Sequence, residues 1–303
     1  MRAVFFGTGE VSEPFLELLG ELDVELVAVV TKPPKRRSRQ GGLEPSAVER
    51  RALSMGVPVG YALDDLPSFD VGVVVAYGKI LPAELVEAKP LVNVHFSLLP
   101  HLRGAAPIER AILAGEEETG VTLIRIVAEM DAGPVLASRP VSIAGMPLSE
   151  ARRVLIDAGL ELLRGGGVFT PGFLAGGAEQ SGVPTIAAKI GAEDLRIRPA
   201  ESAEMAVRRV RLERAYLYFG GRRVVVVGAQ ADGSNPPGPL GALVRTASGS
   251  FGVKMAKGVL VPERVRPEGS REMDFAAFAR GLRPPAGTAS AVPGEGGVRA
   301  VEQ

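Results

Sequence analysis

The sequence has no cysteine and only two histidines in 303 residues. The first absence excludes disulfides, thiolate nucleophiles and cysteine metal sites, so nothing in the composition asks for an oxidising compartment. No apolar run approaches the roughly 18 residues that span a bilayer. The opening Met-Arg-Ala-Val-Phe-Phe-Gly lacks the apolar stretch and cleavage site of an export leader. A cytoplasmic protein with no membrane role is expected. What is present is a globular composition, 46% apolar and 23% charged, long enough for a substantial core and for two domains.

Net charge is also lacking, since 35 Lys and Arg balance 35 Asp and Glu. The balance hides an asymmetry. Residues 205–283 hold 14 basic against 6 acidic side chains, a net of +8, whereas residues 1–204 carry −7 and the tail from Pro284 carries −1. A basic module joined to a mildly acidic one suits a polyanion on the basic side, bound by release of counterions from phosphates. A merely solvated basic surface is the plainer alternative.

Hydrophobic patterning separates the two halves. Ala3–Phe6, Val24–Val30, Val71–Ala76 and Leu91–His95 are nearly continuous apolar runs that read as buried strands. Between them, 14–22, 46–55 and 82–88 open on Pro or Ser and carry helical apolar spacing. This predicts a Rossmann-like α/β domain with a parallel sheet over residues 1–180. The Gly-rich stretch GGGVFTPGFLAGGAEQSGVP reads as a connection, with a linker over 181–204. Beyond it, AYLYF and RRVVVV flank Gly220-Gly221, a hairpin signal. Runs at 240–244, 251–255 and 259–261 add short strands, so a small OB-like β-barrel is expected over 205–283. Residues 284–303, rich in Ala, Gly, Pro and Ser, read as a disordered tail.

Both histidines fall within NVHFSLLPHLRGAAP, residues 93–107. Asn93 and His95 are two apart on a strand, which places both side chains on one face at its carboxyl end, where open α/β sheets keep their functional groups. A carboxamide donor and an imidazole there suit an oxygen that gains negative charge during acyl-type transfer. A carboxylate is then needed to orient the ring or hold it protonated, and Asp131 in EMDAGPVL is the candidate. The residues alone leave a purely structural histidine open. Two histidines without an H-E-x-x-H pattern do not make a zinc site, so no metal is expected.

The segment from Asn93 to Leu136, with AYGKILP and TKPPKRRSRQGGLEPSAVE upstream and VRPEGSREMDFAAFARG downstream, resembles the folate-dependent formyltransferases. The likeness is nearest to the branch acting on methionyl-tRNA. It implies that 10-formyltetrahydrofolate serves as co-substrate and that the acceptor is the α-amine of methionine on initiator tRNA. It also implies roles for residues: Asn93 polarises the formyl oxygen, His95 stabilises the oxyanion or moves a proton, and Asp131 supports His95. Ser97, Leu98, Leu99 and Pro100, together with Tyr77 and Gly78, match the family's folate-binding segments. His101 reads as a surface loop residue, and Arg103, Gly104 and Pro107 as scaffold, with Gly104 permitting a turn closed to other residues.

The same likeness gives the basic elements a partner. Five basic residues from Lys32 to Arg39 occupy a Pro- and Gly-bounded loop without an acid, where the family carries a tRNA-contacting loop. Lys35, Arg36, Arg37 and Arg39 are the candidates, joined by Arg208 and Arg209 from the densest basic cluster of the C-terminal module. A monomer is expected. Three other readings compete. The GTGEVS loop lacks the third glycine of a dinucleotide fingerprint, which argues against an oxidoreductase. A formyltransferase for a sugar nucleotide or glycinamide ribonucleotide uses the same three residues but has no need of the basic module. A non-catalytic RNA-binding protein has no need of the three residues.

Overall fold

Strands that are apolar at every position need cover on both faces, and the N-terminal half of the chain builds such a sheet. A computed structural model describes residues 1–36, 42–165, 167 and 169–282 and divides the chain into two compact units. The first holds residues 1–110, 117–144 and 150–189. The second holds, of the described residues, 111–116, 145–149 and 190–282. The segment expected as a linker, 181–204, is therefore shared between two folded units.

In the first unit seven strands, β1 (Arg2–Gly7), β2 (Glu25–Val30), β3 (Val59–Gly60), β4 (Val71–Val75), β5 (Leu91–His95), β6 (Glu118–Arg125) and β7 (Val135–Ser142), form one sheet in the order β7-β6-β5-β4-β1-β2-β3. The strands from β5 to β3 in this order are parallel, as expected, whereas β6 and β7 run antiparallel. The two antiparallel strands extend the expected parallel sheet at one edge. The connection 126–134 is too short for a parallel crossover, so β7 must return antiparallel to β6.

One face buries Val4, Phe6, Val30, Val74 and Leu91 together with Phe69 and Tyr77, and Leu85 and Val86 of α3 (Ala83–Ala88) pack on it. Helix α1 (Glu13–Glu21) contributes Phe15, whose ring meets that of Phe96 edge-on at 6.1 Å. Gly159 of the helix Leu148–Gly165 makes room for Phe15: a Cβ there would stand 2.9 Å from its ring. Helix α2 (Ala47–Ser54) starts as its sequence predicts, with the Ser46 hydroxyl accepting from the Glu49 amide.

The second unit is an antiparallel sheet that begins with the predicted hairpin. Tyr216–Phe219 pairs with Arg222–Asp232 across Gly220 and Gly221, whose φ of 55° and 80° are the left-handed pair a two-residue turn requires. The sheet continues through Val259–Pro267, Phe251–Lys254 and Leu243–Arg245. Ala206, Val210, Phe219, Val224, Val226, Val265 and Phe275 make up much of its core. The strand Val259–Pro267 is longer than the predicted 259–261. Pro262 and the alternating charges Glu263, Arg264 and Arg266 obscure it, although Val265 between them points into the core. Among the described residues no helix is long and apolar enough to cross a membrane. The expected tail, 284–303, lies outside the described residues.

Candidate active site

β5 delivers Asn93 and His95 to the carboxyl end of the parallel strands, and the loop between β6 and β7 delivers Asp131 to the same place. Asn93 Nδ2 donates to Asp131 Oδ1 at 3.4 Å, and His95 Nδ1 stands 3.6 Å from Asp131 Oδ2. The three side chains that sequence brought forward as one constellation therefore converge. The ring is closely confined, with 6% of the His95 side chain and 14% of that of Asp131 exposed.

The hydrogen bonds around the ring divide the roles of its nitrogens. His95 Nε2 lies 2.9 Å from the Leu102 carbonyl. A carbonyl only accepts, so Nε2 carries the hydrogen in that bond, and Nδ1, facing Asp131, is the nitrogen left to exchange a proton. Asp131 Oδ2 is fixed in turn by the Gly104 amide at 2.8 Å. Gly104 has φ of 120° and its Cα faces the Ala187 carbonyl, which a Cβ would approach to 2.9 Å, so the residue does require glycine here.

The candidate folate segment is built largely from inward-facing polar groups. The Ser97 carbonyl accepts from Thr122 Oγ1 at 2.6 Å, the Leu99 amide donates to that hydroxyl at 3.3 Å, and the Leu98 carbonyl accepts from the His101 amide. Ser97 is fully buried, its hydroxyl donating to the His101 carbonyl at 2.5 Å, which makes it a structural member of the loop. Leu98, Leu99 and Pro100 remain half-exposed. Of the two upstream candidates, Tyr77 is 1% exposed with its ring in the core against Phe6, so its side chain lines no open surface; burial pushes its phenol up. Gly78 is exposed, and Lys32 Nζ lies 2.5 Å from where a Cβ on it would stand. His101, expected as a loop residue, is half-buried and its Nδ1 meets Thr185 Oγ1 at 2.7 Å.

Basic residues gather on the same unit. Burial first, and then the neighbouring Lys35, Lys79 and Lys189, hold the Lys32 ammonium below the usual lysine range. Lys35 and Arg36 are exposed on a short pairing with Leu43–Glu44, while Arg37 and Arg39 lie outside the described residues. In the second unit the arginines differ in what they already bind. Arg209 gives its Nε to both oxygens of Glu201 at 3.0 Å, with only 13% of its side chain exposed. Arg208 spends a donor on the Ala114 carbonyl and Arg211 one on that of Met146. These arginines hold the second unit together, and Arg223 and Arg266, on the strands Arg222–Asp232 and Val259–Pro267, are among those left exposed.

Sequence reasoning did not single out Gln180. It lies in the Gly-rich stretch read as a connection, and no spacing or residue pattern marked it. Its Nε2 donates to the carbonyls of Asp131 at 2.7 Å and Gly133 at 2.9 Å, while its Oε1 accepts from Arg103.

Comparison with known proteins bears on the family of the chain. Residues 1–151 match the formyl transferase family model and 189–283 match the formyl transferase C-terminal domain. The methionyl-tRNA formyltransferase of Rhizorhabdus wittichii is 35% identical over 97% of this chain and 99% of its own length. That of Halorhodospira halophila is 36% identical over 97% and 98%. Among solved structures, the N-formyltransferase of Helicobacter canadensis, crystallised with folinic acid and dTDP-3-aminofucose, shares the fold with a TM-score of 0.63 at 13% identity, covering 86% of this chain and 98% of that one. The chain therefore belongs to the formyl transferase family, in its methionyl-tRNA formyltransferase branch.

Proposed function

We propose that the protein transfers the formyl group of 10-formyltetrahydrofolate to the α-amine of methionine carried by initiator tRNA. The observation that carries the reading is the meeting of Asn93, His95 and Asp131 at the end of β5. The folate supplies an activated formyl carbon; the protein supplies donors, a proton path and a binding surface. Asn93, whose amide already faces Asp131, holds the formyl oxygen as it gains charge. His95 Nδ1 takes the proton that the attacking amine loses and returns it to the departing nitrogen, with Asp131 stabilising the ring while it is charged. Leu98, Leu99 and Pro100 offer half-exposed apolar surface directly beyond the strand bearing Asn93 and His95, a chemistry suited to a flat heteroaromatic ring.

Two basic regions support the nucleic-acid acceptor. In the first unit these are Lys32, Lys35, Arg36, Lys79 and Lys189, with Arg37 and Arg39 next in the sequence; in the second they are the exposed Arg223 and Arg266. A sugar-nucleotide acceptor would leave the +8 module without a task. We place the enzyme in the cytoplasm and expect it to act as a monomer. The deciding experiment offers formylated folate with methionyl-tRNA, uncharged tRNA and small amines as acceptors. Formylation of methionyl-tRNA alone is expected; equal rates with free amines would overturn the reading.

A further inference from the structure

We propose that Gln180 is a positioning residue that aims Asp131 at His95 and Asn93. The inference rests on the formyl-transfer reading of that site and adds a residue that acts through the backbone. Asp131 has φ of 52°, in the left-handed region that residues other than glycine, asparagine and aspartate seldom enter. Such a conformation persists where the surroundings over-determine it. Here one side-chain amide holds the backbone of the turn. Gln180 Nε2 donates one hydrogen to the Asp131 carbonyl and one to the Gly133 carbonyl, so both ends of the turn are held from a single side-chain group.

The other half of that amide faces the second loop of the site. Gln180 Oε1 accepts from Arg103 Nη2 at 2.7 Å and Nε at 3.1 Å, and Arg103 Nη1 reaches Glu129 Oε1 at 3.0 Å, at the near end of the Asp131 loop. The residue after Arg103 is Gly104, whose amide binds the Asp131 carboxylate. Gln180 thus fixes the carboxylate from both directions without touching it: the turn beneath it and the loop that donates to it.

The segment carrying Gln180 is itself secured at each end. Ala178 exchanges backbone hydrogen bonds with Val135, and Ile186–Ala187 pairs in parallel with Arg103–Gly104. The contacts it protects are long ones, 3.4 Å to Asn93 and 3.6 Å to His95, where a displacement of about an ångström decides whether the groups cooperate.

Gln180→Glu separates aim from bulk. The variant keeps its shape and its bond to Arg103 but sets an acceptor against two carbonyls; Gln180→Met removes both polar functions at similar volume. Ring nitrogen signals of His95 are read at fixed pH in the full-length protein, assigned with His101→Gln because the chain has only two histidines. In Gln180→Glu and Gln180→Met these signals are expected to move toward those of Asp131→Asn. The kcat for methionyl-tRNA is expected to fall on the order of ten- to a hundredfold with KM for both substrates little changed. The double variant Gln180→Glu/Asp131→Asn is expected to be no slower than Asp131→Asn alone.

Wild-type His95 signals in the variants, or a double variant whose loss is the product of the two single losses, would overturn the proposal. Thermal unfolding of both variants below the assay temperature would also overturn it, by assigning Gln180 to stability. Failure of the wild type to formylate methionyl-tRNA sinks the activity reading instead, and the His95 signals still report on the clamp.

Discussion

At the scale of single residues the site is a matter of which atoms are already committed. His95 Nε2 is held by the Leu102 carbonyl, so the ring cannot swing, and its chemistry runs through Nδ1. His95→Ala removes the proton carrier while leaving the half-exposed Leu98, Leu99 and Pro100 in place. Turnover is expected to drop on the order of 10²- to 10⁴-fold, the usual share of a general acid–base group. Folate binding, followed by fluorescence or calorimetry, is expected to change little; a near-normal rate would show that the ring is structural. The spacing of Asn93 and His95 made their pairing legible in the letters, because strand period alone puts them on one face. Asp131 was legible only as a chemical need, since 36 positions separate it from His95. Gln180 was not legible at all: its value lies in two backbone carbonyls that exist as targets only once the turn is folded.

At the scale of elements, the loops around the site are shaped by two tight backbone approaches, at Gly104 and at Gly133. A Cβ on Gly133 would fall 1.7 Å from the Arg125 carbonyl, and that atom belongs to backbone that cannot step aside. Gly133→Ala is therefore expected to push the Asp131 turn off β6, at about 2–4 kcal/mol, among the larger effects of a point substitution. For a unit of this size each kcal/mol lowers Tm by about 2–4 °C, so thermal unfolding resolves it, and retention of wild-type Tm and rate would refute the packing argument. The strands β1, β2, β4 and β5 were readable because continuous apolar runs announce burial on both faces. β6 is buried from Thr119 to Ile124 but Thr119 and Thr122 interrupt its apolar run, and its direction depends on the return connection. Residues 165–184 read as a connection because glycine is frequent there, and 178 and 186–187 lie in or just beyond that stretch. Their pairing with Val135 and with Arg103–Gly104 is a tertiary event, invisible to local patterning.

At the scale of the whole molecule, zero net charge conceals two basic regions, and the structure sorts their arginines into structural and available ones. Arg209 faces Glu201, eight residues upstream and outside residues 205–283, so the net charge of that block does not reveal the pair. Counterion release gives the sorting a measurable form: the logarithm of tRNA affinity falls with the logarithm of salt by roughly 0.7–0.9 per phosphate neutralised. Replacing Lys35, Arg36, Arg37 and Arg39 by alanine is expected to flatten that slope by about one to three units, if each of one to four contacts releases its share. Replacing Arg223 and Arg266 is expected to flatten it separately, the two losses adding because the residues belong to different units. Arg209→Ala should behave in the opposite manner. Its guanidinium already faces Glu201, so the salt slope stays as it was. The half-buried carboxylate left behind costs about 1–3 kcal/mol of stability, read in the unfolding of the second unit. A salt slope that responded to Arg209→Ala as strongly as to the loop residues would mean that the pair opens to meet the nucleic acid, and that the inward arginines belong to the binding surface after all.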